Sequence, residues 1–101
     1  MTYKTALVTG GAIRIGEDIC KKLHENDYNI ICHYNKSEKE AKNLKSQLNK
    51  LRKGSCEIFS LDLNDFDQVE ELISKISNNF NSLDLLVNNA SSFFKTDMEN
   101  H

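Results

Sequence analysis

The sequence alternates regularly between short β-rich apolar runs and longer segments of helical periodicity. The apolar runs cover residues 4–9, 28–33, 56–61 and 83–87. The helical segments cover residues 14–26, residues 37–52 and a stretch that begins after Asp65. Strands separated by helices at this spacing pair in parallel through right-handed crossovers. The sequence therefore predicts an α/β fold in the order β-α-β-α-β-α-β, with a parallel sheet and helices on both faces. A helical bundle is disfavoured by the β-branched runs between the helices.

Apolar stripes define the buried faces predicted for the three helices. They consist of Ile15, Ile19 and Leu23, then of Ala41, Leu44, Leu48 and Leu51, and finally of Phe66, Val69, Ile73, Ile76 and Phe80. Two pairs, Ser37 with Glu40 and Asp65 with Gln68, predict helix N-caps. The fourth strand is so apolar that we expect it to be buried on both faces.

Composition excludes several classes of function. The net charge of −2 gives no reason to expect binding to nucleic acid or to anionic membrane. No apolar stretch approaches the roughly 20 residues of a membrane span, and the N-terminus shows no secretory signal, so a cytoplasmic location is expected. Three cysteines without a CxxC pair predict reduced, buried thiols rather than disulfides or a metal site.

The first strand runs into the turn TGGAIRIG, residues 9–16. Gly10 and Gly11 allow a tight turn, and Gly16 allows the helix to pack close to the sheet. A helix N-terminus offers N–H groups and partial positive charge to a phosphate, and Arg14 could add bidentate bonds. The pattern predicts a dinucleotide site. A tight turn without any ligand is the alternative.

The second strand ends in HYNKS, residues 33–37. NAD-binding folds place an acidic residue here to bind the ribose 2′-hydroxyl, and that residue would repel a 2′-phosphate. This corner carries Lys36 and Ser37 and no carboxylate. It therefore predicts a preference for NADP(H) over NAD(H). The alternative for His33, Tyr34 and Lys36 is a solvated strand end.

Two further strand ends carry candidate ligands. Asp62 could accept a hydrogen bond from the adenine amino group, or it could be a turn or cap residue. The segment NNASSFF, residues 88–94, follows the fourth strand, where open α/β sheets bind ligands. Of Phe93 and Phe94, one is expected in the core and the other is available to stack on a flat ring.

These motifs together resemble the short-chain dehydrogenase/reductase family. TGGAIRIG departs from that family's first turn at Arg14, which replaces the middle glycine, and NNAS departs from Asn-Asn-Ala-Gly at Ser91. Both departures resemble the pteridine reductases and the related dihydromonapterin reductases. TGGAIRIG, HYNKS and NNASSFF together are similar to the motifs of that group. The resemblance implies that residues 1–101 form the NADP-binding N-terminal part of one Rossmann-type domain.

The resemblance also implies roles for individual positions and a substrate class. It assigns cofactor binding to Gly10, Arg14, Ile15, Gly16, His33, Tyr34, Asn35, Lys36, Ser37, Asp62, Leu63, Asn89, Ala90 and Ser91, and pterin binding to Arg14, Ser91 and Phe93. NADPH is the implied cofactor and a pterin-like molecule the implied substrate. A homotetramer is the implied assembly of the full-length form, and no metal is implied.

The family's Tyr-x-x-x-Lys pair has no match in the chain. The residues four positions after Tyr3, Tyr28 and Tyr34 are Leu7, Cys32 and Glu38. We therefore expect no catalytic residue in residues 1–101, and binding without turnover. Two alternatives stay open: a short-chain reductase of a carbonyl or acyl-carrier substrate, and a non-catalytic NADP-binding module.

Overall fold

The computed structural model describes residues 3–62, 64–79 and 83–89, and describes residues 77–79 by their backbone alone. Within these described residues, seven elements follow one another: β1 (Lys4–Thr9), α1 (Arg14–Glu25), β2 (Tyr28–Tyr34), α2 (Glu38–Leu51), β3 (Cys56–Ser60), α3 (Phe66–Asn79) and β4 (Leu85–Asn88). The predicted alternation is confirmed, and each boundary lies within two residues of its expected position.

The four strands form one parallel sheet in the order β3-β2-β1-β4. Val8 of β1 lies beside Cys32 of β2 on one side and beside Val87 of β4 on the other. In a parallel sheet all carboxyl ends lie at one edge, so the turn after β1 lies at the middle of that edge. This arrangement is the Rossmann-type topology expected of a dinucleotide-binding fold.

Alternate residues of the strands face two separate helix layers. Ala6, Val8, Ile30 and Cys32 pack in one core cluster with residues of α1 and α2. Leu7 and Ile31 pack in a second cluster with residues of α3. The prediction of helices on both faces is confirmed. The three cysteines, Cys20, Cys32 and Cys56, are buried free thiols, as predicted.

The predicted helix stripes are wrong at four positions. The exposed fractions are 68% for Ile15, 76% for Leu51, 71% for Phe66 and 56% for Ile73. In α1 the buried positions are Gly16, Cys20 and His24, one residue further along the helix than the predicted stripe. In α3 the residues that pack on the sheet are Val69, Leu72 and Ile76. The apolar pattern alone did not distinguish two adjacent ridges of each helix.

The prediction that β4 is buried on both faces is also wrong. Its residues alternate between partly buried and exposed, and Leu86 is 49% exposed. β4 is an outer strand of the sheet in the part of the chain that the structure describes. Leu86 pairs with Leu7 and so shares the α3 side of the sheet, where α3 covers Leu7 and Ile31 instead.

No helix within the described residues is long and apolar enough to cross a bilayer.

Candidate functional site

The turn after β1 brings the start of α1 close to the sheet. Gly10 has a φ of 61°, which favours glycine. A Cβ at Gly16 would overlap the Gly10 carbonyl oxygen and lie 2.6 Å from Asn89 Nδ2 and 2.8 Å from Gly11 Cα. The predicted role of Gly16 in close packing of helix against sheet is therefore confirmed. The turn and the helix start form a compact unit at the middle of the carboxyl edge.

A line of hydrogen bonds holds this turn between the ends of all four strands. His33 Nδ1 at the end of β2 accepts the Gly10 N–H at 3.0 Å, and His33 Nε2 lies 3.0 Å from the Leu61 carbonyl oxygen after β3. Asn89, after β4, donates from Nδ2 to the Gly10 carbonyl at 3.0 Å. Gly10 is thus fixed from both sides by side chains that belong to neighbouring strand ends.

Thr9 adds a second connection to β4. Its hydroxyl donates to the Val87 carbonyl at 3.3 Å and accepts the Asn89 N–H at 2.9 Å. Sequence reasoning missed Thr9 because a threonine in a strand is ordinary. The strand register gives the missing signal, since it places Thr9 opposite Asn88.

His33 lies behind the site surface rather than on it. Its side chain is 3% exposed, and both ring nitrogens have partners inside the chain. Because Nδ1 accepts a backbone N–H, the proton is on Nε2 and the ring is neutral. Burial lowers the pKa of His33, against a smaller opposing effect of the Leu61 carbonyl. The geometry differs from the predicted contact with a 2′-phosphate and gives His33 a supporting position.

Tyr34 also differs from its predicted position. It is 9% exposed and belongs to the core cluster under α1 and α2. The period of two along β2 explains this, because Tyr34 shares a face with Cys32 and Ile30. Asn35 and Lys36 are exposed, as a ligand-binding corner requires, and Ser37 is half-buried.

Arg14 has an unusual backbone. It is exposed, and its φ is 53°, in the left-handed region. Such a conformation costs a side-chain-bearing residue about 1–2 kcal/mol. In the family that this turn resembles, the same position carries glycine, and the left-handed backbone explains why glycine is favoured there. Arg14 thus keeps a strained backbone while it presents a guanidinium at the N-terminus of α1.

No side chain caps the N-terminus of α1 or of α2, whereas a side chain does cap the N-terminus of α3. Ile13 precedes α1 and Ser37 precedes α2, and neither makes a side-chain cap hydrogen bond. Ser37 has a ψ of 56° instead of the extended conformation of a capping residue, so the predicted Ser37–Glu40 capping box is wrong. Both helix starts follow strands whose carboxyl ends lie at the site.

The third helix shows the contrast. Asp65 Oδ1 accepts the N–H groups of Asp67 and Gln68 at 3.1 and 3.3 Å, and the predicted Asp65–Gln68 cap is confirmed. The N–H groups of α1 and α2 are therefore the ones open to an anionic ligand, whereas those of α3 have an internal acceptor.

Asp62 lies exposed after β3 and makes a local turn. Its Oδ1 accepts the Asn64 N–H at 2.9 Å, and its own N–H donates to Gln68 Oε1 at 3.1 Å. Of the two roles predicted for Asp62, adenine recognition and a turn, these contacts correspond to the turn. They do not involve Asp62 Oδ2. Four predicted site residues, Leu63, Ala90, Ser91 and Phe93, lie outside the described residues. Within the described ranges, no cluster of three or more His, Cys, Asp or Glu could hold a metal ion.

A comparison with protein families identifies the family to which the chain belongs. The model of the short-chain dehydrogenase family matches residues 4–101. The chain belongs to the short-chain dehydrogenase family. Its glycine turn, its parallel sheet order and the asparagine after β4 are the parts of that fold described above.

Curated relatives within the short-chain dehydrogenase family carry different names. The chain is 32% identical to pteridine reductase 1 of Leishmania tarentolae over 112 residues, which cover 94% of the chain and 39% of the relative. It is 35% identical to a 3-oxoacyl-[acyl-carrier-protein] reductase of Staphylococcus aureus over 89 residues, or 86% of the chain and 35% of the relative. An uncharacterized oxidoreductase of S. aureus is 32% identical over 90 residues. The chain thus spans less than two fifths of the length of these relatives.

Proposed function

We propose that this chain carries the NADPH-binding part of an oxidoreductase that reduces a pterin or dihydrofolate by hydride transfer to a C=N bond. The observation that carries the proposal is the pair of uncapped helix N-termini, α1 and α2, at the carboxyl edge of the sheet. Between them lie a fixed glycine turn and a strand end without a carboxylate.

The first turn fits a pyrophosphate. Gly16 brings α1 so close to Gly10 that no Cβ could be accommodated, and the N-terminus of this helix, which no side chain caps, follows β1 at the carboxyl edge of the sheet. Negative charge at such an end is stabilised by the helix dipole. Arg14 is exposed at the same end and supplies a guanidinium. These residues bind and orient the cofactor in the proposal, and they take no part in bond breaking.

The corner after β2 fits a 2′-phosphate better than a ribose hydroxyl. Asn35, Lys36 and Ser37 offer an amide, an ammonium group and a hydroxyl, and the α2 N-terminus adds N–H groups. The first carboxylate that follows this corner is Glu38, whose Oε1 is paired with Lys42 Nζ at 3.2 Å. Charge-assisted hydrogen bonds to the phosphate would therefore favour NADPH over NADH.

The pterin part of the proposal rests on three positions and on one relative. Arg14, Ser91 and Phe93 match the substrate-binding positions implied by the resemblance, and a pteridine reductase is 32% identical to this chain. When bound, the nicotinamide supplies the hydride. Arg14 would orient the pterin and the cofactor phosphates together, and Phe93 would stack on the flat pterin ring.

A charge reversal tests the cofactor assignment. Lys36→Glu places a carboxylate where NAD-binding folds carry one, so we expect the Kd for NADPH to rise about tenfold or more. The Kd for NADH should change by less. Lys53→Glu is the matched control, because it makes the same charge change at an exposed residue in the turn after α2. Fluorescence titration of both nucleotides gives the ratio. An unchanged ratio in Lys36→Glu would contradict the assignment.

A second candidate is reduction of a 3-oxoacyl thioester, which the 35% identity to an acyl-carrier-protein reductase favours. NADPH oxidation by protein isolated from its own cells separates the two candidates. Turnover with dihydrobiopterin or dihydrofolate supports the pterin proposal. Turnover with an acetoacetyl thioester alone supports the second candidate and overturns the first.

A further inference from the structure

The His33 ring is the only described side chain that connects the first turn to the end of β3. It accepts the Gly10 N–H through Nδ1 and donates through Nε2 to the Leu61 carbonyl, both at 3.0 Å. The Gly11 N–H also donates to the His33 carbonyl at 3.0 Å. The turn is therefore held to β2 by one backbone bond and one side-chain bond, and only the side-chain bond depends on a protonation state.

Charged groups do not set the protonation of this ring. The titratable residues of the neighbouring elements are Lys4 of β1, Arg14 at the start of α1, Glu57 of β3, Asp62 after β3, Asp65 before α3, Asp67, Glu70, Glu71 and Lys75 of α3, and Cys32 and Tyr34 beside it on β2. The Arg14, Asp62 and α3 side chains are exposed, while Cys32 is buried and lies within 3.8 Å of the His33 carbonyl through its Sγ. Burial is the main cause of the lowered pKa of His33, and no charged neighbour contributes.

We propose that His33 is a positioning residue whose neutral ring holds the first turn in its nucleotide-binding shape, and that a proton on Nδ1 breaks this connection and weakens binding. This inference rests on the proposed function. A protonated Nδ1 is a donor, and it would face the Gly10 N–H, which is also a donor, at 3.0 Å. With the ring 3% exposed, water cannot replace the lost bond.

Bound phosphates act in the opposite direction, because their negative charge would favour a protonated ring. The structure favours the geometric effect. The ring lies behind the turn, and its Nδ1 points at a backbone N–H rather than at the open edge. The sign of the pH dependence therefore decides between the two effects: loss of affinity in acid supports the connection, and gain of affinity supports direct attraction.

Two substitutions separate the two hydrogen bonds of the ring. His33→Asn keeps an acceptor at the place of Nδ1 for the Gly10 N–H, and it cannot titrate. His33→Gln keeps a donor at the place of Nε2 for the Leu61 carbonyl and loses the acceptor for Gly10. The control is His24→Gln, because His24 is also buried with a lowered pKa but bonds to Ser55, before β3, at the opposite end of the strand.

The experiment measures the Kd of NAD⁺ by calorimetry from about pH 7.5 downwards, through the pH at which the His33 nitrogen shifts report protonation, since burial lowers the pKa of this ring from the ordinary histidine value. NAD⁺ is used because it lacks the 2′-phosphate, whose own titration near pH 6 would obscure the effect. In the wild type and in His24→Gln we expect affinity to fall about tenfold as His33 gains a proton. His33→Asn should bind within about threefold of the wild type at pH 7.5 and show no pH dependence. His33→Gln should bind about tenfold more weakly at both ends of the range.

Nuclear magnetic resonance supplies a readout that needs no nucleotide. The exchange of the Gly10 amide proton with solvent should accelerate over the same pH range in which the chemical shifts of the His33 ring nitrogens report protonation. This link between Gly10 exchange and His33 protonation should be absent in His33→Asn. A Gly10 amide that stays protected while His33 titrates would overturn the inference even if nucleotides bind. Failure of any nucleotide to bind at pH 7.5, with the link between Gly10 exchange and His33 protonation intact, would overturn the proposed function and leave the connection itself established. Affinity that rises in acid, or that falls equally in His33→Asn, would overturn the inference alone.

Discussion

Gly16 is the position where the fold and the candidate site depend most directly on one missing methyl group. In Gly16→Ala the new Cβ would overlap the Gly10 carbonyl oxygen and lie 2.8 Å from Gly11 Cα and 2.6 Å from Asn89 Nδ2. Two of the three atoms belong to the backbone, so no side-chain rotation relieves the overlap. The N-terminus of α1 must instead move away from the turn, and the bond from Asn89 to Gly10 must break.

The magnitude follows from these contacts. Overpacking of a rigid core typically costs up to about 3 kcal/mol, and a lost hydrogen bond adds about 1 kcal/mol. We expect Gly16→Ala to lower the free energy of unfolding by about 3 kcal/mol or more. In a domain of this size each kcal/mol corresponds to about 4–8 °C in Tm, so Tm should fall by about 12 °C or more. NADPH affinity should fall as well, because the uncapped N–H groups of α1 move.

Gly54→Ala is the matched control for this prediction. Gly54 has a φ of 71°, but a Cβ there would have no neighbour within 4 Å. The substitution therefore adds backbone strain of about 1–2 kcal/mol without an overlap. We expect a smaller fall in Tm and an unchanged Kd for NADPH. Differential scanning fluorimetry and nucleotide titration measure both variants. A Gly16→Ala protein as stable as the wild type, with the same Kd, would refute the close-packing argument.

Arg14→Gly should relieve left-handed strain and raise the free energy of unfolding by about 1 kcal/mol, while the Kd for NADPH rises about tenfold. A variant that is more stable and binds NADPH as tightly as the wild type would contradict the role of the guanidinium. His24 and His33 have lowered pKa values in the fold, so below pH 6.5 the unfolded chain binds more protons than the native state. Urea unfolding should therefore show stability that falls as the pH drops from 6.5 towards the native pKa values, and His24→Gln should reduce this slope. Asp65→Ala should lower the free energy of unfolding by about 1 kcal/mol through loss of the α3 cap and should leave the Kd for NADPH unchanged.

The order of elements could be read from the sequence because each strand is a short β-rich run and each helix a longer periodic one. Burial of particular side chains could not, because it depends on neighbours that are distant in the chain. Ile15 belongs to a regular apolar stripe, yet it is 68% exposed, since Gly16 rather than Ile15 faces the turn. Leu86 is apolar and still exposed, since β4 is an outer strand among the described residues.

The candidate site shows the same division. The glycine turn and the corner without a carboxylate are visible in the sequence, because both rest on residue types at fixed spacing. The position of His33 depends on the parallel pairing that brings Gly10 to its Nδ1 and Leu61 to its Nε2. The missing cap at Ser37 depends on a backbone angle that the residue type does not set. In retrospect, the period of two along β2 contained the signal for His33, since it places that ring on the same face as Ile31.

The ratio of the dissociation constants of NADPH and NADH for the unmodified protein at neutral pH tests directly whether the corner after β2 holds a 2′-phosphate. Lys36, Ser37 and the uncapped start of α2 should bind the 2′-phosphate, so we expect NADPH to bind at least about tenfold more tightly than NADH. Equal affinities, or tighter binding of NADH, would contradict the proposal that this corner holds a 2′-phosphate.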